Sequence, residues 1–104
     1  MMELQVFQAL ADPTRRAVFE RLSRREMSVA EITSGFAVSQ PAISQHLAAL
    51  RRAGLVRERR EGRRAYYRSE PAGLEPLAVW MERYRQFWPE RLQKLQRVVK
   101  EEVA

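Results

Sequence analysis

The sequence predicts a mainly α-helical fold of five to six helices with one small β-hairpin. Apolar residues recur every three or four positions through most of the chain, which is the spacing of amphipathic helices. Capping residues and glycines divide this pattern into short helices. Two strand-like runs flank a glycine between residues 55 and 69. With 104 residues the chain is expected to form a single domain, 1–104, with a modest core.

Two helices are predicted before residue 25. The first covers about 3–11, where apolar residues have helical spacing. Asp12 is then an acidic N-cap, and Pro13 suits the first position of a second helix over about 13–24. The residues of the second helix expected to be buried are Val18, Phe19 and Leu22.

The next two helices are predicted to form a helix-turn-helix. Ser28 and Glu31 have the spacing of a capping box and begin a short third helix that ends near Gly35. Ser39 caps the fourth helix, which Gly54 ends. Two helices joined by about four residues are typical of this motif. The buried stripe of the fourth helix is expected to be Ile43, Leu47 and Leu50.

The pattern changes after the fourth helix. Residues 55–60 and 65–69 are strand-like and are linked by a turn at 61–63, which predicts a β-hairpin. After a break at 70–73, apolar residues again have helical spacing up to Trp88. Pro89 lacks an amide hydrogen and disfavours helix at the preceding residue, so a kink or break is expected there. A final helix is predicted over about 89–102.

Composition limits the classes of function. The chain has no cysteine, one histidine and one aspartate, which argues against a metal site, a cofactor site or a catalytic nucleophile–base pair. We therefore expect neither an enzyme nor a metal or other cofactor. No apolar run approaches the roughly 18 residues of a membrane span. The start of the chain lacks the pattern of a secretion signal, so the cytoplasm is the expected compartment.

The charge of the chain favours an anionic partner. The formal net charge is +6, and 17 of the 19 basic residues are arginine. Residues 51–68 contain eight arginines and only two acids, whereas the first twelve residues contain no base. The planar guanidinium suits phosphate and guanine edges. This distribution favours a nucleic acid or another anionic surface as the partner, although many solvated protein faces are also basic.

A helix-turn-helix followed by a basic hairpin is the winged-helix arrangement, in which a helix enters the major groove of DNA. With its apolar stripe turned inward, the fourth helix turns a polar, acid-free face outward. Glutamine can pair with adenine, and serine can reach phosphates. The residues of this helix and its cap that are predicted to contact DNA are Ser39, Gln40, Pro41, Ser44 and Gln45, with Arg51 and Arg52 on flanking phosphates.

The hairpin would be the wing. Its arginines Arg60, Arg63 and Arg64 are predicted to approach the DNA backbone or the adjacent minor groove. A charged hairpin edge also prevents sheet-to-sheet aggregation, and that reading competes for the hairpin taken alone. Its position directly behind a helix-turn-helix favours DNA contact.

Three segments resemble the ArsR (SmtB/ArsR) family of winged-helix repressors: ALADPTRRAVFERL at 9–22, VSQPAISQHLAALRRAGLV at 38–56 and REGRRAYYRS at 60–69. The resemblance covers about residues 4–88. It implies a homodimeric regulator that binds an imperfect inverted repeat in its own promoter. Within the matched motif, Gln40, Ser44 and Gln45 would be the main DNA-contacting positions. His46 would either contact a phosphate or form a hydrogen bond within the motif.

The resemblance also implies dimerisation through the terminal helices, about 3–11 and 74–102. The apolar face of the C-terminal region could instead line a pocket for a hydrophobic ligand, but core and interface are the favoured roles. The residues expected at the dimer interface are Leu4, Phe7, Leu10, Leu77, Trp80, Met81, Tyr84 and Trp88.

The chain departs from well-known family members in its sensing residues. Many of them bind metals through cysteines in the third helix or through Asp and His in the C-terminal helices, and this chain has neither set. Metal sensing is therefore not expected, and the identity or existence of a small-molecule inducer stays open. An alternative from another class is a winged helix that docks an acidic protein partner. The acid-free, amide-bearing face of the fourth helix argues against it.

Overall fold

The computed structural model describes residues 2–103 and has the predicted fold, with the helices arranged around a small antiparallel sheet. The α-helices are α1 (Met2–Ala11), α2 (Pro13–Arg24), α3 (Val29–Ser34), α4 (Gln40–Arg52), α5 (Glu75–Arg83) and α6 (Glu90–Val103). The strands are β1 (Met27–Ser28), β2 (Val56–Glu61) and β3 (Arg64–Ser69), in the spatial order β1-β3-β2. The mainly α-helical winged fold predicted from the sequence is thus confirmed.

The starts of α2 and α3 are fixed by the predicted caps. The Asp12 carboxylate accepts a hydrogen bond from the backbone N–H of Arg15 at 2.9 Å. At α3, the Glu31 N–H donates to Ser28 Oγ at 3.2 Å and the Ser28 N–H donates to the Glu31 carboxylate at 3.0 Å. Both arrangements satisfy amides that the first turn of a helix leaves without a partner.

The recognition-helix candidate α4 is bounded as predicted. The Ala42 N–H donates to Ser39 Oγ at 3.3 Å, which caps its start. At its end Gly54 has φ of 76°, a left-handed conformation that favours glycine. The chain then turns back, and the Leu55 N–H donates to the Leu50 carbonyl oxygen at 2.9 Å. By contrast Gly35, after α3, has φ of −95° and is not left-handed.

The predicted hairpin forms, but its turn is shorter than the predicted 61–63 and its sheet contains a further strand. Glu61 pairs with Arg64 across a two-residue turn in which Gly62 has φ of 62°. Strand β1 pairs with the other edge of β3 through Met27 opposite Tyr67, and this strand was not predicted. Two residues are too short to show the alternation by which strands are recognised. The wing is therefore anchored at its base by a third strand.

The core lies between α1–α4 and the inner face of the sheet. Val18, Phe19 and Leu22 of α2 are buried as predicted. Ser69, also buried, donates from Oγ to the Phe19 carbonyl oxygen at 2.6 Å and joins β3 to α2. The remaining buried apolar residues are Val6, Ala9, Met27, Ile32, Ile43, Leu47, Leu50, Ala53, Leu55 and Val56.

The C-terminal helix predicted to reach Trp88 ends earlier. Helix α5 stops at Arg83, a short 3-10 turn follows at Arg85–Phe87, and Trp88 is extended with φ of −72° and ψ of 140°. The prediction of continuous helix over the last five residues before Pro89 was wrong. Proline disfavours helical backbone at the residue before it, and α5 ends a further turn back, at Arg83. Pro89 thus marks a break between α5 and α6, not a kink.

The capping box predicts how stability depends on pH. Hydrogen bonds from the Ser28 backbone, the Arg25 side chain and the Ser28 hydroxyl lower the pKa of Glu31. Because the folded-state pKa is lowered, the ionised carboxylate contributes stability above its unfolded pKa of about 4.3, and this contribution is lost as pH falls through the folded-state value. Glu31→Gln keeps the hydrogen-bonding shape without the charge.

We expect the unfolding free energy of the wild type to exceed that of Glu31→Gln by a constant amount above about pH 5.5, where the carboxylate is ionised in both states. The difference should shrink below about pH 4.3. Urea unfolding at a series of pH values measures it. A difference that does not vary with pH would show that the charge of Glu31 has no stabilising role.

Candidate nucleic-acid interface

Helix α4 presents the polar face that the sequence predicts. Ile43, Leu47 and Leu50 are buried in the core, with at most 2% of each side chain exposed. The side chains on the opposite face are all exposed and none is acidic; they are Gln40, Pro41, Ser44, Gln45 and Ala48. The helix is therefore held by one stripe and leaves its amide-bearing face accessible along three turns.

The N-terminal end of this face combines a cap with a donor. Ser39 Oγ already accepts the Ala42 N–H, but a hydroxyl that accepts through its oxygen still has a proton to donate. A phosphate near the helix start would also meet the positive end of the helix dipole. Ser39 is exposed and can fulfil both roles at once.

His46 forms a structural hydrogen bond, but its partner, Arg15, lies outside the 38–56 motif in which a hydrogen bond was predicted. It is half-buried, and its Nδ1 accepts a hydrogen bond from Arg15 Nε at 3.3 Å. Arg15 also donates to the Gln8 carbonyl oxygen at 3.3 Å, while Asp12 caps its backbone. One side chain thus joins the end of α1, the start of α2 and the middle of α4. A phosphate contact by His46 stays a prediction.

The wing contains arginines of two kinds. Arg59 forms a two-point salt bridge with Glu26, at 3.1 and 2.7 Å, and a third contact with Glu61 at 2.9 Å. Arg57 pairs with Glu70 at 2.7 Å. These two arginines stabilise the base and the body of the hairpin, so their charge is largely committed within the protein.

The remaining predicted arginines differ in their availability. Among residues 2–103, the exposed side chains of Arg52, Arg63 and Arg64 have no salt bridge or hydrogen bond. Arg51 and Arg60 are also exposed but both pair with Glu58, at 2.8 and 3.0 Å. Of the five arginines predicted to contact phosphates, Arg52, Arg63 and Arg64 have no acidic partner among the described residues, whereas Arg51 and Arg60 are paired with Glu58.

Two residues that the sequence analysis did not single out lie at this surface. A groove of about 440 Å³ separates α4 from the wing, and Tyr67 of β3 lines it together with Ser44 and Arg51. The Tyr67 hydroxyl donates to Glu58 at 3.2 Å. Burial, followed by the nearby Glu58 charge, raises the pKa of Tyr67. Glu58 and Tyr67 are cross-strand partners, a relation that becomes visible only once the strand register is known.

A second exposed surface is apolar and aromatic. The Phe7 and Trp80 rings meet edge to face with centroids 5.4 Å apart, and Tyr84 follows at 5.0 Å from Trp80. Trp80, Met81 and Tyr84 are 39%, 41% and 45% exposed. Of the other residues predicted at a dimer interface, Leu4 is exposed, Trp88 is half-buried, and Leu10 and Leu77 pack partly against the chain's own core. We name the surface formed by the exposed side chains of Leu4, Trp80, Met81 and Tyr84, together with the half-buried ring of Phe7, the aromatic face.

Within the described part of the chain, no cluster of three or more His, Cys, Asp and Glu side chains could hold a metal ion. Over the same residues no helix combines the length and the apolar character that crossing a bilayer requires.

Comparison with known proteins agrees with the geometry. A helix-turn-helix domain model matches residues 10–59. The chain is 43% identical over 88 residues to an HTH-type transcriptional regulator of Mycobacterium tuberculosis, covering 85% of this chain and 79% of that protein. It is 36% identical to the transcriptional repressor SdpR of Bacillus subtilis, over 73% of this chain and 84% of that protein. The solved structure of an ArsR-like transcriptional regulator from Rhodococcus sp. RHA1 superposes with a TM-score of 0.73 at 34% identity, covering 93% of this chain and 92% of that chain.

Proposed function

The chain belongs to the ArsR family of winged helix-turn-helix, DNA-binding transcriptional regulators, and from that premise we propose that it is a homodimeric repressor of its own promoter. Its operator would be an imperfect inverted repeat, read by one α4 helix per half-site. Members of this family are regulators, not enzymes. Because the proposed ligand is DNA, the cytoplasm is the proposed compartment.

The observation that carries this proposal is the exposed face of α4. Its glutamines offer the paired donor and acceptor that match adenine in the major groove, and no carboxylate on it would repel the duplex. The wing arginines lie beside it and supply sequence-independent attraction to phosphate. Gln40 and Gln45 are the proposed base readers, while Ser39, Ser44 and Arg52 are proposed to fix the register on the backbone.

A dimer is proposed because of the number of base pairs that one α4 can read. A single short helix reads too few base pairs for one promoter to be distinguished, whereas two helices about one DNA turn apart double the site. The aromatic face is proposed as the dimer interface because exposed aromatic clusters are favourable to bury against a second copy.

The signal that releases DNA is proposed to be something other than a metal ion. The chain has no cysteine and a single histidine, and soft or borderline metals are held by these ligands. A small organic inducer is compatible with this composition, but no residue of the described chain identifies one.

The proposal is tested by footprinting on the DNA upstream of the gene, followed by a salt titration on the protected sequence and on a random duplex. A sequence-specific repressor should prefer the protected inverted repeat by at least about a thousandfold at physiological salt. Equal binding to both duplexes would contradict the repressor and favour the alternative, a basic module that docks an acidic protein.

Removing a wing-tip arginine should weaken DNA binding without changing sequence preference. For Arg63→Ala or Arg64→Ala we expect the slope of log affinity against log salt to fall by about one, since each would neutralise one phosphate. The matched control is Arg57→Ala, which removes the same charge from the same hairpin. In the wild type the Arg57 guanidinium is paired with Glu70, so its loss should change the salt slope less. A loss confined to particular sequences would instead indicate minor-groove reading by the wing.

A further inference from the structure

Glu58 is an acidic residue in the middle of the basic surface. Its carboxylate accepts hydrogen bonds from Arg51 Nη1 at 2.8 Å, from Arg60 Nε at 3.0 Å and from the Tyr67 hydroxyl at 3.2 Å. The three donors come from α4, β2 and β3. Glu58 therefore connects the proposed recognition helix to both strands of the wing.

The exposure of these side chains shows how the cluster is layered. The Glu58 side chain is only 12% exposed, whereas those of Arg51 and Arg60 are 63% and 73% exposed. The carboxylate thus lies beneath two outward-facing guanidinium groups, of which that of Arg51 lines the groove between α4 and the wing. The Tyr67 hydroxyl donates a hydrogen bond to the same carboxylate, and the Tyr67 side chain lines the groove.

This arrangement affects specific and non-specific DNA binding differently. Non-specific binding grows with each cation that is free to neutralise any phosphate it meets. Specific binding depends on backbone contacts that fix the register of the protein on the duplex. A carboxylate that neutralises two arginines weakens non-specific binding. Because it also holds the two side chains in place, it supports the backbone contacts on which specific binding depends.

We propose that Glu58 is a positioning residue that sets the sequence discrimination of this protein, by restraining Arg51 and Arg60 beside the groove and withholding their charge from random DNA. The inference rests on the proposed contact of α4 and the wing with an operator. It assigns to Glu58 a role in discrimination that none of the DNA-contacting residues supplies.

The test compares Glu58→Gln with Glu61→Gln, which lies on the same strand, is 70% exposed and pairs with Arg59 instead. Both substitutions raise the net charge by one from +6, so any effect of total charge is matched. For Glu58→Gln we expect the random-duplex affinity at ~0.15 M salt to rise roughly fivefold for each freed arginine, with a salt slope steeper by about 0.9 per arginine. The operator affinity should rise less, so the operator-to-random ratio falls.

Thermal unfolding of each variant establishes that it is folded, and Glu58→Thr, with a side chain suited to strands, replaces Glu58→Gln if the latter does not fold. Equal effects of Glu58→Gln and Glu61→Gln on the random-duplex slope would overturn the inference, and so would an unchanged operator-to-random ratio. If the wild type itself does not prefer the operator, the proposed repressor fails. The random-duplex comparison of the two variants still tests the restraint of the arginines in that case.

Discussion

A protein carrying Trp80→Ala is expected to be monomeric at concentrations at which the proposed wild-type dimer forms, and to lose tight operator binding as a result. Trp80 is the centre of the aromatic face, between Phe7 and Tyr84. Large aromatic side chains at the centre of an interface typically cost about 2 kcal/mol or more when truncated to alanine. In a two-fold symmetric dimer the substitution acts twice, so about 4 kcal/mol, or roughly a thousandfold in the dimer dissociation constant, is expected.

Sedimentation equilibrium measures the dimer constant directly, and operator binding is measured on the same samples. Trp80→Phe is the matched control because it keeps an aromatic ring beside Phe7 and should retain most of the dimer. Thermal unfolding separates loss of the interface from loss of the fold, since Trp80 also packs within its own chain. A Trp80→Ala protein that remains dimeric would remove the aromatic face as the interface.

The second large effect is expected at Gln45. If its amide pairs with an adenine, Gln45→Ala should weaken operator binding by roughly 1–3 kcal/mol and relax the preference at one base pair per half-site. Alanine lacks the amide donor and acceptor that would pair with the adenine edge. The protein would therefore bind operators with different base pairs at that position with more similar affinity. The side chain is exposed on α4 and makes no contribution to the buried stripe.

Binding to a set of operators, each substituted at one position, locates the affected base pair. Gln86→Ala is the control, because it removes an exposed amide from a segment outside the proposed DNA surface. If Gln45→Ala leaves the preference unchanged at every position, Gln45 does not read bases. The reading role would then pass to Gln40.

The helices and the hairpin could be predicted because their signals are local. Asp12, Ser28 and Ser39 cap helices through hydrogen bonds to amides three residues away, so that sequence spacing alone identifies them. Burial of the α4 stripe follows equally directly from its period. The same locality explains why the sequence alone predicts the outward face of α4.

What the sequence missed depends on pairing between distant segments. Strand β1 exists only because Met27 meets Tyr67 across the sheet, and the ion pairs of the wing depend on strand register. Counting arginines therefore overstated the free charge of the hairpin, since Arg57, Arg59 and Arg60 have acidic partners. The end of α5 at Arg83 was also missed, because the apolar spacing continues to Trp88 while the helix does not.

The hydrogen bonds of Arg15 have a consequence for how the proposed dimer measures distance along DNA. This side chain links the end of α1, part of the proposed dimer contact, to His46 in α4. In the proposed dimer, this link would hold each α4 at a fixed offset from the symmetry axis. Neighbouring base pairs are about 3.4 Å apart, and successive half-sites face the protein once per helical turn. A fixed offset would therefore fit only one spacing between the half-sites. The number of base pairs between half-sites would then be recognised as strictly as their identity.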